Sequence, residues 1–430
     1  MKLATIVCAA PDGAALGRKP WMPPGAMGEL AAMVSRVSDW GVKGWDEIVK
    51  GPVPTDWLRN SSLVMLTGLT PSYKRMAEIA AYCKKSRIPL IAGGRDVIGW
   101  SRDPGGLELL TSRFPSFCTT HVTLELMGQI LGDCDAGNLQ GHYRVSDGTP
   151  YQFVVPDRRI LTPSDYYAPY SVRSSVGCDN NCSFCTVGGQ GQFYKPLDIL
   201  EAELKTFHYW FFLDVSDSFA GNFEFTRNIL GVYKRSGMRW GTEATVKDLL
   251  GKNGQGDLIA DMRRAGCVLL YVGIESITRS VHGKVSRERA EQVVQRCRRE
   301  GIVIIGSLML DVMGDETADE IQQAVSWATR WLDFAQFSLT ALLPGCALRR
   351  RALRDGAIIE DDWRKFDGAH PTMKHVLSPE LRGQLLTQAY RDFSTIPRVL
   401  GRALRAPRGI LTKVAVLYGG LRYRRGIPQL

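Results

Sequence analysis

No stretch of the sequence runs to about eighteen consecutive apolar residues, so no membrane-spanning helix is expected. The opening Met-Lys-Leu-Ala-Thr-Ile-Val-Cys has a short apolar part and no convincing cleavage site; it reads as a first buried strand, not a secretory leader. Low-complexity segments and short-period repeats are missing, which leaves ordinary globular domains. Seven of the ten cysteines lie scattered, with no disulfide-framework spacing, and this points to a reducing, cytoplasmic compartment. Acidic residues stop at Asp392. Beyond it Arg398, Arg402, Arg405, Arg408, Lys413, Arg422, Arg424 and Arg425 carry most of the net charge of +10.

What is present is concentrated in Cys178, Cys182 and Cys185, within Cys-Asp-Asn-Asn-Cys-Ser-Phe-Cys. Three thiolates on one loop can hold three corners of a cubic iron–sulfur cluster. Electron-carrying clusters take four cysteines, so one iron here is left for a chelating cosubstrate. The competing readings are coincidental thiols or a zinc site short of a ligand. Zinc sites usually show paired C-x2-C or His-x3-His spacing; the nearest downstream histidine, His208, lies in a mixed aromatic run.

At 430 residues the chain has room for two or three domains. Residues 1–150 alternate strand and helix, with strands at Leu3–Cys8, Ser62–Leu66 and Ile88–Ala92 and helices at Ala26–Val37 and Tyr73–Lys85. This alternation predicts an α/β, doubly wound, Rossmann-like parallel sheet. Ligands on such sheets lie at the carboxyl ends of strands, which puts Thr67, Gly68, Leu69, Thr70, Gly93 and Gly94 at a site rim. Residues 151–350 repeat the pattern about six times, too few for an eight-unit barrel and enough for a partial one. Strands are expected near Trp210–Leu213, Trp240–Val246, Val268–Ile274, Val303–Leu310 and Phe334–Leu342, with helices starting near Leu197, Phe223, Gly256, Arg287 and Ala318. Residues 351–430 read as a helical, basic C-terminal region. Its mixture of basic residues with Ile410, Leu411, Val414, Val416, Leu417, Tyr418, Leu421 and Tyr423 suits either an interfacial segment on anionic lipid or a packed terminal helix with basic rims.

The cysteine triad resembles the signature of the radical S-adenosylmethionine (SAM) superfamily. With the strings Ile91-Ala92-Gly93-Gly94, Pro156-Asp157-Arg158-Arg159-Ile160-Leu161, Asp217-Ser218-Phe219-Ala220-Gly221-Asn222, Gly273-Ile274-Glu275-Ser276, Gly314-Asp315-Glu316-Thr317 and Leu343-Pro344-Gly345, most of the chain resembles the cobalamin-binding branch. Hopanoid-modifying enzymes and the anaerobic bacteriochlorophyll cyclase belong to that branch. The resemblance implies a [4Fe–4S] cluster on the three cysteines, SAM chelating the fourth iron, reductive cleavage to a 5′-deoxyadenosyl radical, and an N-terminal cobalamin domain. It implies Phe184 near the adenine, Asp217 as acceptor from the SAM ammonium, and Glu275 and Ser276 on the ribose hydroxyls. Read from the residues alone, Asp217 and Glu275 can equally be surface or helix-capping carboxylates.

The sequence departs from the branch at Val176, where arginine is frequent, at Asp179, where proline is frequent, and at Ser216-Asp217 in place of two acids. Phe117-Cys118-Thr119-Thr120-His121 lacks the usual Gly-Glu-type turn, and no Asp-x-His-x-x-Gly offers cobalt a histidine. Cys8, Cys83, Cys118, Cys134, Cys267, Cys297 and Cys346 read as buried thiols. The function implied is cobalamin-dependent methylation of an unactivated carbon of a small, hydrophobic or specialised molecule. It would be served by a flavodoxin or ferredoxin, with peripheral contact at the inner membrane face and no nucleic acid. The alternatives are a non-methylating radical rearrangement, cyclisation or ring contraction and, from another class, an iron–sulfur binding module without catalysis.

Overall fold

The computed structural model describes residues 2–14, 16, 19–189, 191–251, 258–278, 287–406 and 409–425. The first sheet is parallel and six-stranded, made of β1 (Leu3–Ala9), β2 (Gly41–Asp46), β3 (Leu63–Gly68), β4 (Leu90–Ala92), β5 (Phe117–Cys118) and β6 (His142–Tyr143), in the order β2-β1-β3-β4-β5-β6. On β1, Ile6 and Val7 point to opposite faces and both are buried, as a central parallel strand requires. Helices α1 (Gly25–Val37) and α7 (Leu124–Asp135) cover one face. On the other lie α4 (Tyr73–Lys85), α5 (Arg95–Ser101) and α6 (Gly106–Arg113); the short α2 (Glu47–Lys50) and α3 (Thr55–Arg59) fill the connection before β3. The strand order reverses between β1 and β3, so the ligand crevice opens outside their carboxyl ends, beside Gly68.

The second sheet is a parallel, open partial barrel in the order β14-β13-β12-β11-β10-β7. Its strands are β7 (Ser171–Val172), β10 (Phe211–Asp214), β11 (Arg239–Thr245), β12 (Cys267–Glu275), β13 (Val303–Met309) and β14 (Phe334–Ser338). A small antiparallel pair, β8 (Ser175–Gly177) with β9 (Gln192–Tyr194), leaves the barrel between β7 and β10 and carries the cysteine loop. Outside pack α8 (Leu197–Leu204), α9 (Phe223–Ser236), α10 (Val246–Leu250), α11 (Leu258–Arg264), α12 (Arg287–Glu300) and α13 (Ala318–Trp331). Capping sets several boundaries. Asn222 accepts from the Phe225 amide to start α9, and Thr317 and Glu320 form a reciprocal capping box on α13. The C-terminal region is α14 (Ala347–Arg354), α15 (Pro379–Phe393), α16 (Ile396–Arg405) and α17 (Ile410–Arg425).

Expected and observed elements differ in a few places. β2 does not show as an apolar run because, at the sheet edge, only Gly44 and Asp46 of its six residues are buried. The strand expected to reach Leu342 stops at Ser338, where the Leu339 amide turns to the Gly368 carbonyl (2.7 Å). Gly256 and Arg408 lie outside the described residues, as do the side chains of Ile410, Leu411, Arg422, Tyr423, Arg424 and Arg425.

Candidate active site

The cysteine loop is held at both ends by its own backbone. Gly177 precedes Cys178 at φ 85°, and a Cβ there would stand 2.1 Å from the Gly191 carbonyl oxygen, so only glycine lets the two arms close. The Gly189 amide donates to the Cys178 carbonyl (2.9 Å) and the Cys185 amide to that of Cys182 (3.1 Å). Backbone N–H groups of Asn180 and Val187 point at the sulfurs of Cys178 and Cys185, 3.4 Å each. Such donors favour the thiolate that a cluster needs. Burial is the main cause raising the Cys185 thiol, and the neighbouring Cys182 and Cys178 add to it.

The entry to this loop is stitched to the carboxyl end of β10. Ser174 and Ser216 hydroxyls and the Tyr233 hydroxyl donate to Asp214, at 2.5, 2.6 and 2.6 Å. Burial pushes the Asp214 carboxyl up, and these donors oppose that. The Ser175 amide then donates to Ser216 Oγ (2.8 Å) and the Gly177 amide to Asp217 Oδ2 (2.8 Å). Asp217 stands three residues past the strand end, not on it, because β10 stops at Asp214. Its other oxygen accepts from Arg95, at the start of α5 in the first sheet's half of the chain. One carboxylate thus links the N-terminal half to the residue preceding the first cysteine.

The barrel wall opens beyond. On β12, Glu275 has φ 66°, and the Ser276 amide bonds back to the Ile274 carbonyl (2.8 Å), a γ-turn strained for any residue but glycine. Its carboxylate folds over Gly273, where a Cβ would lie 2.9 Å from Glu275 Oε1. Ser276 is buried, 3.4 Å from the Thr278 hydroxyl. On β11, Glu243 is surrounded by protein yet reached by solvent, as on the wall of a concavity. Removal from water is the first cause raising its carboxyl, Asp217 and Asp214 add to it, and Arg95 opposes them. Tyr271 donates to Gln336 Oε1 (3.1 Å) across the same wall. Arg95, Asp214, Glu243 and Tyr271 escaped the sequence reading. A carboxylate two residues after Gly241 in an apolar strand, and a cation directly after Gly93-Gly94, were the available signals.

The predicted residues fall into two groups. Cys178, Cys182, Cys185, Asp217, Glu275 and Ser276 lie in the loop or at the carboxyl ends of barrel strands, and Phe184 packs against the hydrophobic cluster formed by Leu342, Cys346, Leu348, Ala352 and Met373. Thr67, Gly68, Leu69, Thr70, Gly93 and Gly94 lie at the carboxyl ends of β3 and β4. Helix α5 brings that rim to the barrel. A Cβ on Gly99 would meet the Pro344 carbonyl oxygen at 2.9 Å and Thr186 Cγ2, next to Cys185, at 4.0 Å. Asp103 accepts from Arg349 Nε (2.7 Å) and from the Gly345 amide (3.2 Å). Several of the resembling strings are structural. Glu316 accepts from the Met313 and Gly314 amides and from buried His375, and Arg158 ties the connector to Glu203 and the Ser171 carbonyl. Cys346 is a buried cap on α14.

Residues 172–328 match the sequence profile of the radical SAM superfamily. They form a radical SAM domain. An uncharacterized methyltransferase of Pyrococcus horikoshii is 27% identical over 280 residues, covering 60% of this chain. The chain spans 59% of that relative's length. Among solved structures, the apo form of the cobalamin-dependent SAM radical enzyme OxsB aligns with 98% of this chain and 75% of its own, at TM-score 0.64 and 11% identity; at that identity the likeness is one of fold. The radical SAM domain implies a [4Fe–4S] cluster and SAM, and the loop fits them: three cysteines, amide donors on the sulfurs of Cys178 and Cys185, and a carboxylate bonded to the residue before the first. Among the described residues no group of three Cys, His, Asp or Glu side chains is arranged to hold a single metal ion. When bound, that pair supplies a 5′-deoxyadenosyl radical by one-electron cleavage of the sulfonium.

Proposed function

We propose that this chain is a cobalamin-dependent radical SAM methyltransferase acting on an unactivated carbon of a small molecule. The observation that carries the reading is the meeting of two carboxyl-end faces. Helix α5 leaves the Gly93-Gly94 turn and lays Arg95 on Asp217 and Gly99 against Pro344, so the crevice of the first sheet and the mouth of the barrel share a border. A corrinoid seated in that crevice would be placed beside the barrel mouth. The rim suits a large ligand at Leu69, which is exposed, and at Gly93, where a Cβ would meet nothing nearer than Cys118 Cβ at 3.8 Å.

In this reading Cys178, Cys182 and Cys185 hold the cluster. Asp217 accepts from the SAM ammonium, Glu275 and Ser276 bind the ribose hydroxyls, and Phe184 lies by the adenine. Thr67, Gly68, Leu69, Thr70, Gly93 and Gly94 form the corrinoid rim. We assign residues 1–150 to the corrinoid domain, 151–350 to the radical domain and 351–430 to the helical C-terminal region. The electrons come from a flavodoxin- or ferredoxin-class donor, and the basic C-terminal region gives peripheral contact with the inner membrane face. Product analysis tests the reaction. With reductant, corrinoid and an acceptor substrate, methylation predicts 5′-deoxyadenosine and S-adenosylhomocysteine in equal amounts. Deoxyadenosine alone would replace methylation by a radical rearrangement or cyclisation.

A further inference from the structure

Helices α16 and α17 pack on each other, and a Cβ on Gly420 would stand 2.8 Å from Val399 Cγ1. Their shared inner side, with Ala403, Ala406 and Val416, sits on Val303 and Phe334, the first residues of β13 and β14. Arg405 reaches the Thr329 carbonyl in the last turn of α13 (3.4 Å). The hairpin therefore lies at the strand-start end of the barrel, opposite the end that carries Asp217 and Glu275.

Its outer side is apolar in two stripes. Ile396, Leu400 and Leu404 recur every four residues along α16, and Val414, Tyr418 and Leu421 follow at spacings of four and three on α17. Leu404 is 74% exposed and Tyr418 62%. Exposed Arg398, Arg405 and Lys413 flank them, with no acid after Asp392. The loop before β10 brings a second apolar group to the same end of the barrel, Tyr209 and Trp210, the latter 68% exposed. Basic residues in the last turns of α9, α11, α12 and α13 also lie there. Those have a local reason, since they face helix C-termini, and alone would require no partner. The apolar stripes have no such local reason.

We infer that the strand-start end of the barrel, centred on the α16–α17 hairpin, docks on an anionic lipid surface. Basic residues beside apolar stripes match anionic headgroups over acyl chains, and exposed Tyr and Trp suit the interface. A second copy is the poorer occupant, because self-association would oppose two faces of the same positive sign. This gives the proposed peripheral contact a surface, and it turns the catalytic mouth away from the bilayer. The hairpin is then an anchor and does not deliver substrate to the site, so the tail carries no argument for a hydrophobic substrate.

The test is sedimentation of the full chain with vesicles of phosphatidylcholine alone and with about one-third phosphatidylglycerol. Binding is expected only to the anionic vesicles, weakening with salt and falling roughly tenfold in Leu400→Glu/Leu404→Glu and in Tyr418→Glu. All three side chains are exposed, and uncoupled SAM cleavage by the variants should equal that of the parent. No binding to anionic vesicles at low salt would overturn the inference and turn the search to an acidic protein partner. Binding unchanged in both variants would overturn it too, as would concentration-dependent dimerisation lost in the double variant. Vesicle binding reads the docking face and SAM cleavage reads the active site, so either can fail while the other stands.

Discussion

Glu275 shows how one residue can carry strain for a site. A non-glycine at φ 66° costs about 1 kcal/mol and persists where the surroundings hold it. Glu275→Gly should therefore melt no lower than the parent, gaining up to about 1 kcal/mol, while SAM binds roughly tenfold more weakly. A destabilised variant with unchanged SAM affinity would remove Glu275 from the site. Asp217 makes a second case. Arg95→Ala frees one carboxylate oxygen but leaves the Gly177 bond, so SAM affinity should shift by severalfold; Asp217→Ala loses both contacts and should raise KM for SAM further, roughly tenfold or more. Equal KM in the two variants would contradict the assigned order. Asp96, beside Thr70 on the rim, gives a pH test. Burial raises its carboxyl to about 6, against Arg95 and the Thr70 donors. A carboxyl raised on folding favours the folded state below its unfolded value and costs stability as pH rises through about 6. Asp96→Asn in the cluster-free protein should raise Tm by about 2–4 °C at pH 8 and by nothing near pH 4. A shift of the same size at both pH values would contradict the burial argument.

At the scale of elements, α5 is the bracket between the halves. Gly345 has φ 86°, and a Cβ there would stand 2.5 Å from the Gly99 carbonyl oxygen, so the two chains touch backbone to backbone. Gly345→Ala should push the loop off α5 and lower Tm by several degrees. It should also weaken corrinoid retention more than cluster content, as read by visible spectra; equal loss of both would mean general unfolding. The elements also show what a sequence displays. β1, α1, α4 and the barrel strands are legible because each buries a continuous face, and the pattern is local. β2 is half exposed and Asp217 lies beyond its strand, so periodicity marks neither. The cysteine spacing is visible because ligands on one loop need no tertiary contact to be recognised. The Arg95–Asp217 bond spans 122 positions and the Asp103–Arg349 pair 246, and no local pattern encodes such partners. Of the tail's two sequence readings, the packed terminal helix is seen in α16 and α17, which sit on the barrel through one side; the apolar stripes on the other side are what the proposed lipid contact rests on.

Across the whole molecule, two parallel sheets meet carboxyl end to carboxyl end, while the hairpin closes the far end of the second. This arrangement sets the crevice of the first sheet beside the barrel mouth, and corrinoid is the ligand proposed for it. Among the described residues no helix is long and apolar enough to cross a membrane. The most direct test of the central claim is corrinoid retention. The full chain is reconstituted anaerobically with iron, sulfide and hydroxocobalamin, desalted, and its bound corrinoid measured by visible absorption. The account predicts about one corrinoid per chain alongside an intact cluster, reduced by bulk at Gly93, where the Cβ position is open. An intact cluster with no retained corrinoid would contradict it and leave cobalamin-free radical chemistry.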